Sequence, residues 1–126
     1  MKLRLAQIAH ARSGDKADRA DIGLFAWGNA GHAALLDAVT PQRVADHFAH
    51  LLGSNDAARV ERYPLPNLLA LKFVLNGALS GGAAHSLRSD NLGKTIAAQL
   101  LRMEIEWPDD VATRLLDEAR AAIDAM

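Results

Sequence analysis

The chain has 126 residues, 50% of them hydrophobic and 23% charged, with a formal net charge of −1. That length is about one domain, and a chain of this size can bury roughly two-thirds of its unfolded surface. The near-neutral charge and 5% aromatic content lack the basic footprint and stacking surface of a nucleic-acid-binding protein. The absence of cysteine excludes disulfides, thiolate zinc sites, iron–sulfur clusters and a cysteine nucleophile. No secretory pattern opens the chain and no apolar run approaches the ~20 residues of a membrane span, so a cytoplasmic protein without membrane contact is expected.

Residues 3–9 read as a strand with Leu3 and Leu5 on one face, and residues 22–27 as a second strand antiparallel to it. Between them residues 12–23 run Arg-Ser-Gly-Asp-Lys-Ala-Asp-Arg-Ala-Asp-Ile-Gly, with three acids, three bases and two glycines in twelve positions. A tight chain reversal needs roughly two to five residues, so this stretch reads as a charged loop that something besides the reversal holds. Gly28-Asn29-Ala30-Gly31 reads as a turn, and residues 32–38 as a short helix. Thr40 is a suitable N-cap with Pro41 at the first helical position. Val44, Phe48, Leu51 and Leu52 continue that helix to Gly53, which can close it in a left-handed cap.

Residues 60–65 and 68–75 read as strands around Pro64-Leu65-Pro66-Asn67. The second is apolar on both faces, as in a central, doubly covered strand. Residues 76–85 read as a loop of small residues and 93–101 as a helix. Met103, Ile105 and Trp107 alternate with Arg102, Glu104 and Glu106 as a half-buried strand, and these three apolar residues are candidates for a pairing surface. Pro108 stops the strand. Asp109 and Asp110 then open a helix over about 109–125, favoured at its positive dipole end, with Val111, Leu115, Ala119, Ala122 and Ile123 as its apolar stripe. Helices set between antiparallel strands predict an α+β sandwich, ferredoxin-like (split βαβ) with an elaborated first hairpin and an extra C-terminal helix. No internal repeat or boundary divides residues 1–126.

The candidate chemistry lies in two motifs. In the first, Arg12, Lys16 and Arg19 suit a carboxylate or phosphate, while Asp15, Asp18 and Asp21 are hard oxygen ligands whose spacing is not that of a calcium loop. The alternative is a structural loop in which Ser13, Asp15 and Asp18 cap backbone N–H groups and the charges pair with each other or across subunits. The second motif, Ser80-Gly81-Gly82-Ala83-Ala84-His85-Ser86-Leu87-Arg88, can bring backbone N–H groups to an anion beside Ser86 and Arg88, or be a plain connection.

Other signals are weaker. Leu92-Gly93-Lys94-Thr95 imitates the end of a P-loop, but the earlier glycine position is Arg88, so the pattern fails. His47 and His50 flank an apolar stripe and fit boundary residues better than metal ligands. His10 and Ser13 form a nucleophile–base candidate without a third member. Candidate acid–base residues are therefore Asp15, Lys16 and His10, with no metal or other cofactor indicated. Lys72, inside an apolar strand, either snorkels to the sheet edge or pairs with one of the loop acids.

Residues 12–16, Arg-Ser-Gly-Asp-Lys, continued by Asp18, Asp21, Ile22 and Gly23, resemble the opening motif of the C-terminal domain of the AtuA-type acyclic terpene utilisation family. Leu65-Pro66-Asn67-Leu68 with Ala70-Leu71-Lys72-Phe73-Val74-Leu75 is similar to its central segment. Ala78-Leu79-Ser80-Gly81-Gly82, Ser86-Leu87-Arg88, Asp90 and Gly93-Lys94 resemble its second motif, and Leu100-Leu101-Arg102-Met103-Glu104-Ile105 its closing strand. Coverage is about residues 3–107. Ala17 stands where the pattern has glycine and Asp21 where it has asparagine.

The resemblance implies a ferredoxin-like fold and a separately encoded small subunit. It would assemble with itself and with a larger AtuA-type partner in breakdown of acyclic terpenoids and branched acids carried as acyl-CoA thioesters. Arg12, Ser13, Asp15, Lys16, Arg19, Gly81, Gly82, Ser86, Arg88 and Lys94 are then the expected contacts to an acyl-CoA or another anionic small molecule. The alternatives are a self-contained acyl-CoA enzyme for hydration or hydrolysis, and a structural oligomerisation domain.

Overall fold

The computed structural model describes residues 1–16, 19–77 and 89–126; at Asp15, Lys16 and residues 89–94 it describes the backbone and not the side chains. In chain order the elements are β1 (Lys2–Arg4), β2 (Ala9–Lys16), β3 (Arg19–Ala26), α1 (Asn29–Ala38), α2 (Pro41–His47), α3 (Ala49–Leu52), β4 (Val60–Leu65), β5 (Ala70–Asn76), α4 (Ser89–Leu101), β6 (Glu104–Glu106) and α5 (Asp109–Asp124). Short 3-10 turns lie at Leu5–Gln7, Ala57–Arg59 and Pro66–Leu68.

The strand expected over residues 3–9 is broken by the turn at Leu5–Gln7. Leu5 and Ile8 are both buried, and a period-2 strand would send residues three apart to opposite faces; the turn brings both inside. The expected loop over 12–23 is instead most of a hairpin. β2 and β3 pair from Ala9↔Ala26 to Lys16↔Arg19; residues 17 and 18 lie outside the described residues. The charge density hid an ordinary alternation, with Ala20, Ile22, Leu24 and Ala26 buried and Arg19, Asp21, Gly23 and Phe25 on the other face.

Gly28-Asn29-Ala30-Gly31 is not a turn but the cap and first turn of α1. Thr40 caps α2 as expected, its Oγ1 accepting from the Arg43 N–H at 3.1 Å. The helix does not run unbroken to Leu52: Phe48 (φ −103, ψ 18) separates α2 from α3, and this bend lets Phe48, Leu51 and Leu52 all reach the core. Gly53 closes α3 at φ 73, in the left-handed region. Arginines satisfy two helix C-termini: Arg62 Nη1 donates to the Leu36 and Val39 carbonyls at 2.8 and 3.0 Å, and Arg59 Nη1 to the Leu52 carbonyl at 2.9 Å.

Among the described residues there are two antiparallel sheets, a four-stranded one in the order β2-β3-β5-β4 and a ribbon of β1 and β6. From β3 onward the chain follows the split βαβ order, with β3 and β5 side by side and β4 outside β5. β2 occupies the edge beside β3, and β6 pairs instead with β1, from Lys2↔Glu106 to Arg4↔Glu104. The ribbon extends through Leu5, whose N–H donates to the Met103 carbonyl at 2.9 Å, and through Trp107, whose N–H donates to Met1 at 3.1 Å.

The helices cover one face of the large sheet, where Ile22, Leu24, Leu71, Phe73 and Leu75 join Phe48, Val44, Leu35, Ile96 and Leu100 in the core. Among the described residues β5 is central but covered on one side only: Leu71, Phe73 and Leu75 are buried, whereas Lys72 is exposed and Val74 half-buried. Met103, Ile105 and Trp107 are buried within the chain's own core, so they do not form the expected pairing surface. α5 buries Ala112, Leu115 and Ala119. The expected stripe is rotated, leaving Ile123 50% exposed.

That rotation points Glu118 at the start of α1. Its Oε2 accepts from the Ala30 N–H at 3.1 Å and its Oε1 from the Gly31 N–H at 2.8 Å. These are two of the donors that a helix start leaves unpaired, so a carboxylate from one helix caps another. Gly28 and Gly31 make the room, because a Cβ at either would come within 3 Å of the Glu118 carboxylate.

Candidate functional site: the open face of the sheet

With the helices on one side, the other side of the four-stranded sheet presents every second residue outward, and the registers arrange these in four rows across the strands. The first row is Arg19 on β3 and Asn76 on β5. The second is Gly14, Asp21, Val74 and Glu61. The third is Arg12, Gly23, Lys72 and Tyr63, and the fourth is His10, Phe25, Ala70 and Leu65. The face is therefore banded: positive, negative, positive, then aromatic and aliphatic.

Two glycines keep the centre of the face low. A Cβ on Gly14 would lie 3.0 Å from Asp21 Oδ1, and one on Gly23 2.9 Å from the Phe25 ring, so Asp21 and Phe25 lie along the sheet over their glycine neighbours. A groove of about 240 Å³ remains, lined by Arg12, Asp21, Gly23, Phe25, Leu65 and Lys72 together with Ser13 and Ala70. Lys72 Nζ stands 3.8 Å from Asp21 Oδ2, with each side chain about half exposed. A pair so wet contributes little stability; it sets the position of two opposite charges at the groove. Lys72 therefore pairs with a motif acid, one of the two outcomes expected of it.

The titrations follow from neighbours. The hydrogen bond from Asn76 Nδ2 at 2.8 Å, with a second from the Tyr63 hydroxyl, holds the Glu61 carboxyl below its usual range. Donating that hydrogen bond to Glu61 holds the Tyr63 phenol above its own. Glu61 is thus anchored as an anion at the edge of the negative row. His10 stacks on Phe25, with ring centroids 5.1 Å apart, and leans on Trp27 at 4.6 Å. Desolvation by that packing, with Arg12 second, pushes the imidazole below its usual 6.5.

Arg12, Arg19 and Asp21 share the open face with His10. Ser13 does not: its Oγ accepts from the Ala97 N–H of α4 at 3.3 Å. His10 and Ser13 lie an odd number of residues apart on one strand and point to opposite faces, which rules them out as a nucleophile–base pair. Asp15 stands opposite Ala20 and Lys16 opposite Arg19 at the hairpin tip. Asp18, Gly81, Gly82, Ser86 and Arg88 lie outside the described residues, and Lys94 is described only as part of the α4 backbone. The register Arg19↔Asn76 sets the end of β5 beside the start of β3.

Phe25, Glu61, Tyr63 and Asn76 belong to this face and escaped the sequence reading. Their signal was the alternation of Glu61, Tyr63 and Leu65 against that of Ala70, Lys72 and Val74, readable only once β4 and β5 are known to be neighbours. His47 belongs to the helical layer, its Nε2 lying 2.7 Å from the Gln99 carbonyl. A second hollow of about 490 Å³ on the β1–β6 ribbon is lined by Lys2, Arg4, Gln7, Arg102 and Glu104, and it lacks the apolar floor of the first.

The fold and site define a split-βαβ sandwich with a one-sided sheet, a banded open face and an added carboxylate-pinned helix. The AtuA ferredoxin-like domain matches residues 3–106, nearly the whole chain, and the protein belongs to that family. α5 lies beyond the match. No curated protein and no solved structure matches the chain. Among the described residues no helix is long and apolar enough to cross a membrane.

Proposed function

We propose that this domain is a small accessory subunit that works with a larger AtuA-type partner in breakdown of acyclic terpenoids and related branched acids carried as acyl-CoA thioesters. The observation that carries this reading is the family match over residues 3–106. Two features of the geometry support a binding role. The His10–Ser13 pair is split between opposite faces of the sheet, so the best nucleophile–base candidate is lost. The tip of the β2–β3 pairing, Lys16↔Arg19, and the end of β5 at Asn76 lie at the same end of the sheet, which gives the partner one end to grip. Lys16, at that tip, is its first contact, and the anionic thioester is shared between the two proteins.

Co-expression of the chain with the larger AtuA-type protein tests this. A complex that survives size exclusion, and that Lys16→Ala weakens by roughly tenfold, is the expected result. Two proteins that elute separately, or acyl-CoA turnover by the small chain alone, would overturn it.

A further inference from the structure

We propose that two copies of this chain pack open face to open face, about a two-fold axis that runs across the strands between the Asp21 row and the Gly23 row. The argument rests on the banding, and stands apart from the partner proposed above. A two-fold axis in the plane of a sheet can run along the strands or across them. Along the strands, each row meets its own copy: Asp21 and Glu61 would face a second negative row, and Arg12 and Lys72 a second positive one. Like charges brought together across an interface cost several kcal/mol. Across the strands, every row meets a complementary one.

In that second arrangement the negative row of one copy lies over the positive row of the other. Asp21 comes to sit over the second copy's Gly23, between its Arg12 and Lys72. Arg12 comes to sit over the second copy's Gly14, beside its Asp21. The outer rows match as well: Arg19, exposed on β3, falls over the second copy's Phe25, where a guanidinium on an aromatic face is favourable. The glycines at the centre, with Asp21 and Phe25 folded down over them, let two faces approach to the ~10 Å spacing of packed sheets. The occupant is a second copy because the bands of one face complement those of the same face through this rotation.

The test is sedimentation equilibrium of the full chain at low and high salt, with circular dichroism to confirm folding. The expected result is a dimer of twice 13.5 kDa that salt weakens. Asp21→Lys, and separately the double variant Arg12→Asp/Lys72→Asp, each place like charges at both contacts and should raise the dimer dissociation constant tenfold or more. Mixing the two restores opposite charges at both contacts, so a heterodimer should return with near wild-type affinity. If Asp21→Lys fails to fold, Arg12→Asp alone at an exposed side chain reads the same contact. A monomeric wild type would overturn the proposal and leave the face to a small anion or a different protein. So would variants that dimerise like the wild type, or a mixture that does not recover. Failure here leaves the partner complex untouched, because that contact is read at the hairpin tip.

Discussion

His10 shows how one side chain on this face is tuned by its neighbours. Its imidazole is packed against Phe25 and Trp27, and its pKa is lowered first by desolvation and then by Arg12. Phe25→Ala should therefore raise the His10 pKa toward 6.5 by more than Arg12→Gln does, in an NMR titration of the ring protons. The sign of the linkage follows. The folded state binds the proton less readily than the unfolded chain, so this contribution to stability is full above about 6.5 and is lost as pH falls through the depressed folded value. His10→Phe should flatten that part of the stability–pH curve. Arg62 is a second residue with an outsized role, since one guanidinium nitrogen satisfies two carbonyls at the end of α1. Charge-assisted bonds of this kind are worth about 1.5–3 kcal/mol when their partner is left unpaired, and Arg62→Ala should cost about that much in a denaturant titration.

At the scale of elements, the contact that joins α5 to α1 is a carboxylate in a helix start. Gly28 has an extended backbone that any residue can adopt, so the requirement for glycine is room: a Cβ there would fall 2.5 Å from the Glu118 carboxyl carbon. Glu118→Ala should cost about 1–2 kcal/mol, within the range for losing a helix cap. Gly28→Ala should cost a similar amount by expelling the same carboxylate. Because both remove one interaction, their effects should not add; a double variant as destabilised as the sum of the singles would show that Gly28 matters for another reason. The broken helix of α2 and α3 has a different logic. Phe48 sits at the bend and is fully buried, so Phe48→Ala should cost about 3–5 kcal/mol by leaving a void where two short helices meet the sheet.

For the molecule as a whole, the division of the sheet into a covered and an open face controls where function can lie. Every helix that packs on the large sheet adds to one side, and the charged motif is thereby turned out on the other. α5 contributes to the covered side through Leu115 and Ala119 as well as Glu118. Truncation after Pro108 should therefore lower the melting temperature by about 10 °C or more, if several kcal/mol are lost from a domain of this size. A truncated chain that melts with the full one would show that the α5 contacts are not coupled to the core.

The element types were legible in the sequence wherever the local pattern was strong. Thr40-Pro41 marked a helix start, Gly53 a left-handed stop, and Met103, Ile105 and Trp107 a half-buried strand, because capping and alternation are decided by residues close in the chain. The order of strands and helices likewise carried the split βαβ arrangement, and the motif strings at 12–23, 65–75, 78–94 and 100–105 carried the family. The charged stretch at 12–23 misled, because ion pairs and glycines look the same in a loop as on the solvated side of a hairpin. Only pairing decided which neighbours Asp21, Lys72, Glu61 and Phe25 have. Rows across a sheet join residues dozens of positions apart, and no local rule sets that register. The break at Leu5–Gln7, the one-sided burial of β5 and the rotation of α5 toward Glu118 were also settled by packing, since each depends on which distant surface fills the space beside it.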